Sequence, residues 1–268
     1  MAKIYQRWNI HHRLQHILLF VSFFILTFTG LPIKYAYSSW ASPVTRFFGG
    51  FDTMLTIHKV AAAIMIIAAI YHLGYMLVCW LIRKETSTAM VPTWKDVTDL
   101  LDHIVYSFGL SKKDAEFERY SYKEKFDYWA VFWGIAIMVG SGLMMWFPQI
   151  SVQYVPRWVL DCAQVAHSDE AMLAITAVFI WHFYNVHFSP LVFPMSMVWL
   201  NGKFSQEEME EFHPLELQKI APAEAGSGEQ TVEVSTFRRN PGLIIAQMII
   251  YAAILAWFLY GFLPLGLM

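Results

Sequence analysis

The sequence predicts an all-α integral membrane protein with five transmembrane helices, the first four forming a bundle. Two observations predict it. The 268 residues are 57% hydrophobic and only 15% charged, with a mean hydropathy of +0.41, whereas a soluble chain carries about 25% charge. Five apolar stretches, roughly 15–37, 56–82, 128–147, 168–192 and 242–264, are each long enough to cross a hydrocarbon core of about 30 Å.

The first stretch is the cleanest, with no charge from Ile17 to Ile33. It follows a basic lead of Lys3, Arg7 and Arg13 without a small-residue cleavage site, so it reads as an uncleaved anchor. The second contains His58 and His72. The loop 83–127 carries Pro92, a mildly amphipathic run near Trp94–Leu110 and a charged stretch at Lys112–Lys125. The third contains Gly140 and Gly142, which suit close helix packing or the approach of a flat ligand. The fourth follows His167 and contains His182. Asp169 and Glu170 suit its N-terminus, where the helix dipole favours negative charge.

The next loop opens with a capping-box spacing, Ser205 to Glu208, and becomes linker-like at Ala221–Gly228. The fifth stretch closes the chain. The expected domains are a four-helix unit at 1–200, a loop and linker at 201–241 and an additional helix at 242–268. Neither loop is large enough for a catalytic domain.

Orientation follows from the basic residues. The N-terminus and the loops 83–127 and 193–241 carry 15 of the 19, leaving Lys34, Arg46, Lys59 and Arg157 on the other side. The N-terminus and both loops are therefore expected in the cytoplasm of a bacterial or archaeal cell, with the C-terminus outside.

Cys79 and Cys162 fall near opposite faces of the membrane and are not expected to pair. The chain has no Cys-x-x-Cys-His, which excludes covalent c-type haem, and no cysteine cluster for iron–sulfur. No glycine-rich phosphate loop follows a strand. Nucleic acid is not an expected partner; membrane lipid is.

The histidines carry the chemistry. His58 and His72 are 14 apart, and His167 and His182 are 15 apart. Either spacing is roughly 21–23 Å of helix and nearly four whole turns. Each of two helices thus offers one imidazole near each membrane surface, and His16 opens a third helix. Opposed imidazoles at two depths suit two six-coordinate haem irons, and without covalent attachment these are b-type. Packing alone is a poor account of His58, His167 and His182, because buried ionisable groups are costly in a membrane. His11, His103 and His213 read as solvated or interfacial. Trp40, Trp129 and Trp146 read as interfacial belts.

Further features carry a family resemblance: Thr29-Gly30 at the end of the His16 run, Ile57-His58, Arg119-Tyr120, Gly140, Trp146, His167, Trp181-His182, Gly202-Lys203 and His213-Pro214. Over about residues 7–220 the chain resembles the cytochrome b (gamma) subunit of membrane-bound formate dehydrogenases and nickel-iron hydrogenases. The resemblance implies a dihaem cytochrome b bundle, with His58 and His167 on the outer haem and His16 and His182 on the inner one. Three features depart from the family: His72 is an added histidine, the His167–His182 spacing is one residue longer, and a fifth helix follows. The 14 and 15 spacings are also similar to those of the cytochrome b of quinol–cytochrome c complexes, which favours His72 as the partner of His182. A third haem using spare histidines such as His187 is a further arrangement.

The resemblance also implies a quinone or menaquinone site beside the inner haem, before the third helix. By register its polar residue falls on Ser121, with Glu124 and Lys125 nearby; the family has asparagine there. His12 and His187 lie near the same surface as further donors. The implied function is electron transfer between a peripheral iron–sulfur or multihaem cytochrome c partner and the quinone pool. A haem- or metal-handling transporter and a haem-free structural anchor are the alternatives from other classes.

Overall fold

The computed structural model describes residues 3–84, 88–189 and 192–224, with the isolated positions 245, 248, 249, 252, 253 and 256. Apart from those six positions, the fifth apolar stretch lies outside the described residues. Among the described residues, four helices are long and apolar enough to cross a membrane: α1 (Ile10–Lys34), α3 (Phe51–Leu81), α5 (Tyr122–Trp146) and the span Arg157–Phe188. Short helices α2 (Ala41–Phe47) and α6 (Pro148–Tyr154) follow the first and third spans. The described chain packs as two compact units, one from 14–73 and 137–196, the other from 3–13, 74–136 and 197–224.

In the first unit, Leu31, Trp40, Ala41 and Ile175 form a buried cluster, flanked by Phe23, Tyr35, Met172 and Phe179. Trp40 is 4% exposed, so the expected interfacial role is corrected: its indole fills a core under α2. Ile67, Ile70, Leu173 and Ile180 remain exposed, as side chains facing lipid do.

The fourth span corrects a second expectation. It begins with α7 (Arg157–Thr176), directly after Pro156 in an extended conformation, not beside His167. Asp169 and Glu170 therefore lie within the helix. Asp169 is instead paired with Lys34 at 2.8 Å. Hydropathy marked only the apolar part of this helix and missed its polar opening. Beyond Thr176 the helix widens into π turns at Ala177–His182 and Tyr184–Phe188. A π turn takes in one more residue than an α turn. In a pure α-helix, 15 residues overshoot four turns by about 60°. The wider turn absorbs the additional residue and returns His182 toward the face of His167.

The second unit is polar. Strands β1 (Ile4–Gln6) and β2 (Lys203–Ser205) pair antiparallel, with Ile4 opposite Ser205 and Gln6 opposite Lys203. This pairing puts the N-terminal segment and the segment after the fourth span on one side, as four crossings require. Gly202, at φ 76°, ends α8 (Val198–Asn201), and its carbonyl accepts from the Arg7 and Trp8 amides at 2.8 and 3.0 Å. A Cβ there would sit 2.3 Å from the Trp8 carbonyl oxygen, so only glycine fits the turn. The expected box caps α9 (Gln206–Phe212): the Glu208 amide donates to Ser205 Oγ at 3.2 Å, and the Ser205 amide to Glu208 Oε2 at 2.8 Å. The amphipathic run forms α4 (Trp94–Ser107).

His213 is 3% exposed, and its Nδ1–H donates to the Glu118 carbonyl at 2.6 Å. The solvated role expected for it is therefore corrected. His103 pairs with Asp114 at 2.8 Å. Cys79 and Cys162 are free thiols, as expected.

Glu216 on α10 (Pro214–Glu224) holds this unit together. Its two carboxylate oxygens separately accept from Arg7 and from Arg119, the latter at 2.8 Å. Side-chain exposure is 4% for Arg7 and 10% for Glu216. Breaking a buried pair leaves an uncompensated charge, typically at a cost of about 3–5 kcal/mol. Glu216→Ala should therefore lower the denaturation midpoint of the purified protein markedly. Lys219→Ala, which removes an exposed pair with Glu118, should change stability by less than about 1 kcal/mol. Equal effects of the two would contradict this assignment.

Candidate functional site

His58 on α3 meets Thr29 on α1. The Thr29 hydroxyl donates to the Ile25 carbonyl at 2.7 Å, so Oγ1 faces His58 Nδ1, 2.9 Å away, as an acceptor. The ring is therefore the Nδ1–H tautomer, and Nε2 keeps the lone pair that a metal would take. The fourth span repeats the arrangement. The Ser141 hydroxyl donates to the Ile137 carbonyl at 2.6 Å and accepts from His167 Nδ1–H at 3.1 Å.

A glycine follows each hydroxyl residue. A Cβ on Gly30 would lie 3.3 Å from His58 Cε1, and one on Gly142 would lie 3.1 Å from His167 Cε1. Both are tighter than ordinary van der Waals contact. Glycine lets each ring lie flat on the neighbouring helix while its Nδ1 reaches the hydroxyl one residue earlier.

The second pair is His16 on α1 and His182 in the π segment. Their ring centroids are 6.5 Å apart with planes tilted by 42°. Two bonds of about 2 Å, the length of a zinc–imidazole bond, plus the ring radii give roughly 6 Å between imidazoles that share one metal. His72 Nδ1 is instead 2.9 Å from Oε1 of the buried Gln15, the residue before His16. His187 packs edge-on to Phe183, with ring centroids 5.1 Å apart.

The family model for prokaryotic cytochrome b561 matches residues 7–199. The chain belongs to the prokaryotic cytochrome b561 family. No curated protein matches it. Membership implies b-type haem in a multi-pass membrane protein, and the donor set of this cytochrome b561-family chain fits such a group. Each pair consists of imidazoles, and one pair has its Nδ1 atoms engaged with hydroxyls, Nε2 available, and a glycine beside each ring.

The polar residues before the third span are engaged in structure. Ser121 caps α5: its amide and hydroxyl donate to Glu124 Oε2 at 2.7 and 3.0 Å. Lys125 pairs with Asp96 at 2.8 Å. Burial opposes the charge of Asp96, but hydrogen bonds from Lys125 and Thr93 hold its carboxyl below the usual carboxylate range. His12 donates its amide to the Asn9 side chain at the start of α1, and its ring lies edge-on to Tyr75, 5.4 Å between centroids.

Sequence reasoning missed Thr29, Ser141 and Gln15 as partners of histidines. A signal was present for two of them: Thr29-Gly30 and Ser141-Gly142 repeat a hydroxyl–glycine pair late in the first and third spans. No comparable repeat marked Gln15.

Proposed function

We propose that this cytochrome b561-family protein is the electron-carrying membrane subunit of a respiratory oxidoreductase. It would connect a peripheral iron–sulfur or multihaem cytochrome c partner at the outer face to the quinone pool. The observation that carries this reading is that His16 and His182 face each other, while His58 and His167 are each held by a buried hydroxyl on the preceding span. The pairs use histidines separated by 15 residues on the fourth span, or roughly 22 Å.

His58 and His167 would hold the outer haem, and His16 and His182 the inner one. When bound, the two haems supply reversible one-electron carriage across the bilayer. The chain's own residues fix ring orientation through Thr29 and Ser141 and keep the sites apolar. His72 acts through Gln15 on the segment that carries His16. The 15-residue spacing of His167 and His182, one longer than in the formate dehydrogenase form that the sequence resembles, would be taken up by the π turns.

The quinone would meet the chain at the inner surface. Ser121, Glu124 and Lys125 before the third span are candidate donors to the quinone carbonyls, with His12 and His187 as further candidates. An anaerobic titration of purified protein with menaquinol and ubiquinol analogues tests this part. One of them should reduce the b-type absorption bands, and His12→Ala or His187→Ala should slow the reduction at unchanged haem content. Bands that respond to dithionite but to neither quinol would remove the quinone from the account.

The proposed orientation places the 205–235 loop in the cytoplasm and Met268 outside, because 15 of 19 basic residues lie on the loop side. A reporter fused after Met268 should score as external, and one inside the loop as cytoplasmic. A cytoplasmic score at the C-terminus would mean that 242–264 is not a span.

A further inference from the structure

The two hydroxyl–glycine pairs make the same connection twice. Thr29 on the first span serves His58 on the second, and Ser141 on the third serves His167 on the fourth. Each hydroxyl has given its own hydrogen to a carbonyl one turn back, Ile25 or Ile137. Each can therefore meet its histidine as an acceptor, and His167 has the Met138 carbonyl as a second one. Thr29 is fully buried and Ser141 is 5% exposed, so water does not compete for either bond. Gly30 and Gly142 leave the rings room to reach them.

We propose that Thr29 and Ser141 are positioning residues that set the reduction potential of the outer haem. This rests on the reading that His58 and His167 are its axial ligands. An acceptor on Nδ1–H draws that proton away from the ring and makes Nε2 a stronger electron donor. A stronger donor stabilises the ferric iron over the ferrous. Partners of this kind orient a ligating histidine and raise its basicity, and their loss typically changes metal affinity or activity about 10–100-fold. His16 and His182 belong to the other pair, so the effect is confined to one of the two haems. The two hydroxyls act on opposite ligands of one iron, so their contributions add.

The test is a potentiometric titration of the b bands in purified full-length protein, with low-temperature electron paramagnetic resonance of the oxidised form. The variants are Thr29→Val, Ser141→Ala and the pair together. Thr29→Val keeps the shape of the side chain and removes the acceptor. Each single variant should weaken ferric over ferrous binding about tenfold, an upward shift of about 59 mV for one electron. The double variant should shift further, and the low-spin signal of one haem should change. Thr29→Ser should restore the original potential. Loss of the outer haem alone from either variant would also place the hydroxyl at that site.

Two haems retained at unshifted potentials would overturn the proposal, as would equal shifts of both. If Thr29→Val does not assemble, Ser141→Ala reports the same effect from a separate helix. Wild-type protein without haem would instead defeat the underlying ligand reading, and that outcome is distinguishable before any variant is made.

Discussion

His167→Ala should yield a protein that retains one b haem of two. His167 lies in the fourth span, with its Nδ1 3.1 Å from the Ser141 hydroxyl. Alanine would remove one of the two residues that would hold the outer haem. His16 faces His182 and belongs to the other pair. His58→Ala should give the same result from the opposite side of the iron. Haem is quantified per chain by pyridine haemochrome, and the remaining haem is followed by its redox titration. Full two-haem content in His167→Ala would defeat the outer pair.

The inner haem should depend equally on His182 and His16, and His72→Ala should keep it. Facing centroids at 6.5 Å match two imidazoles on one metal, so His16 and His182 would be the residues that hold the inner haem. His72 Nδ1 is 2.9 Å from Oε1 of Gln15, the residue before His16, so its replacement is expected to reach the site through that side chain. His72→Ala should therefore alter the inner potential or the quinol reaction while both haems remain. The opposite pattern, with the inner haem lost in His72→Ala and kept in His16→Ala, would assign His72 as the ligand. Loss of one haem from each of the two variants, with three in the wild type, would end the two-haem account.

Much of this was legible in the sequence. Apolar length located the four described spans, because a helix satisfies all of its backbone hydrogen bonds within one apolar segment in lipid. The capping box at Ser205 and the correlated depths of His58, His167 and His182 were equally visible. The start of the fourth helix was not. Residues 157–167 are polar enough to read as a loop, yet Pro156 opens a helix there and carries Asp169 to Lys34. The burial of Trp40 and His213 depends on tertiary partners far away in sequence, and residue type alone assigned both to the surface. The π turns that reconcile the 15-residue spacing with a common face leave no signature in hydropathy. Thr29 and Ser141 were hidden for another reason: hydroxyl residues in membrane helices commonly bond their own backbone, and only the fold shows the histidine beyond.

The central claim is two b haems held by paired histidines. Reduced-minus-oxidised spectroscopy of the purified full-length protein, combined with haemochrome quantification, tests it most directly. The account predicts b-type bands, two haems per chain that survive detergent exchange, and two resolvable potentials. A haem-free protein would make the chain a structural anchor, and substoichiometric, easily lost haem would make it a transporter; either result contradicts the account.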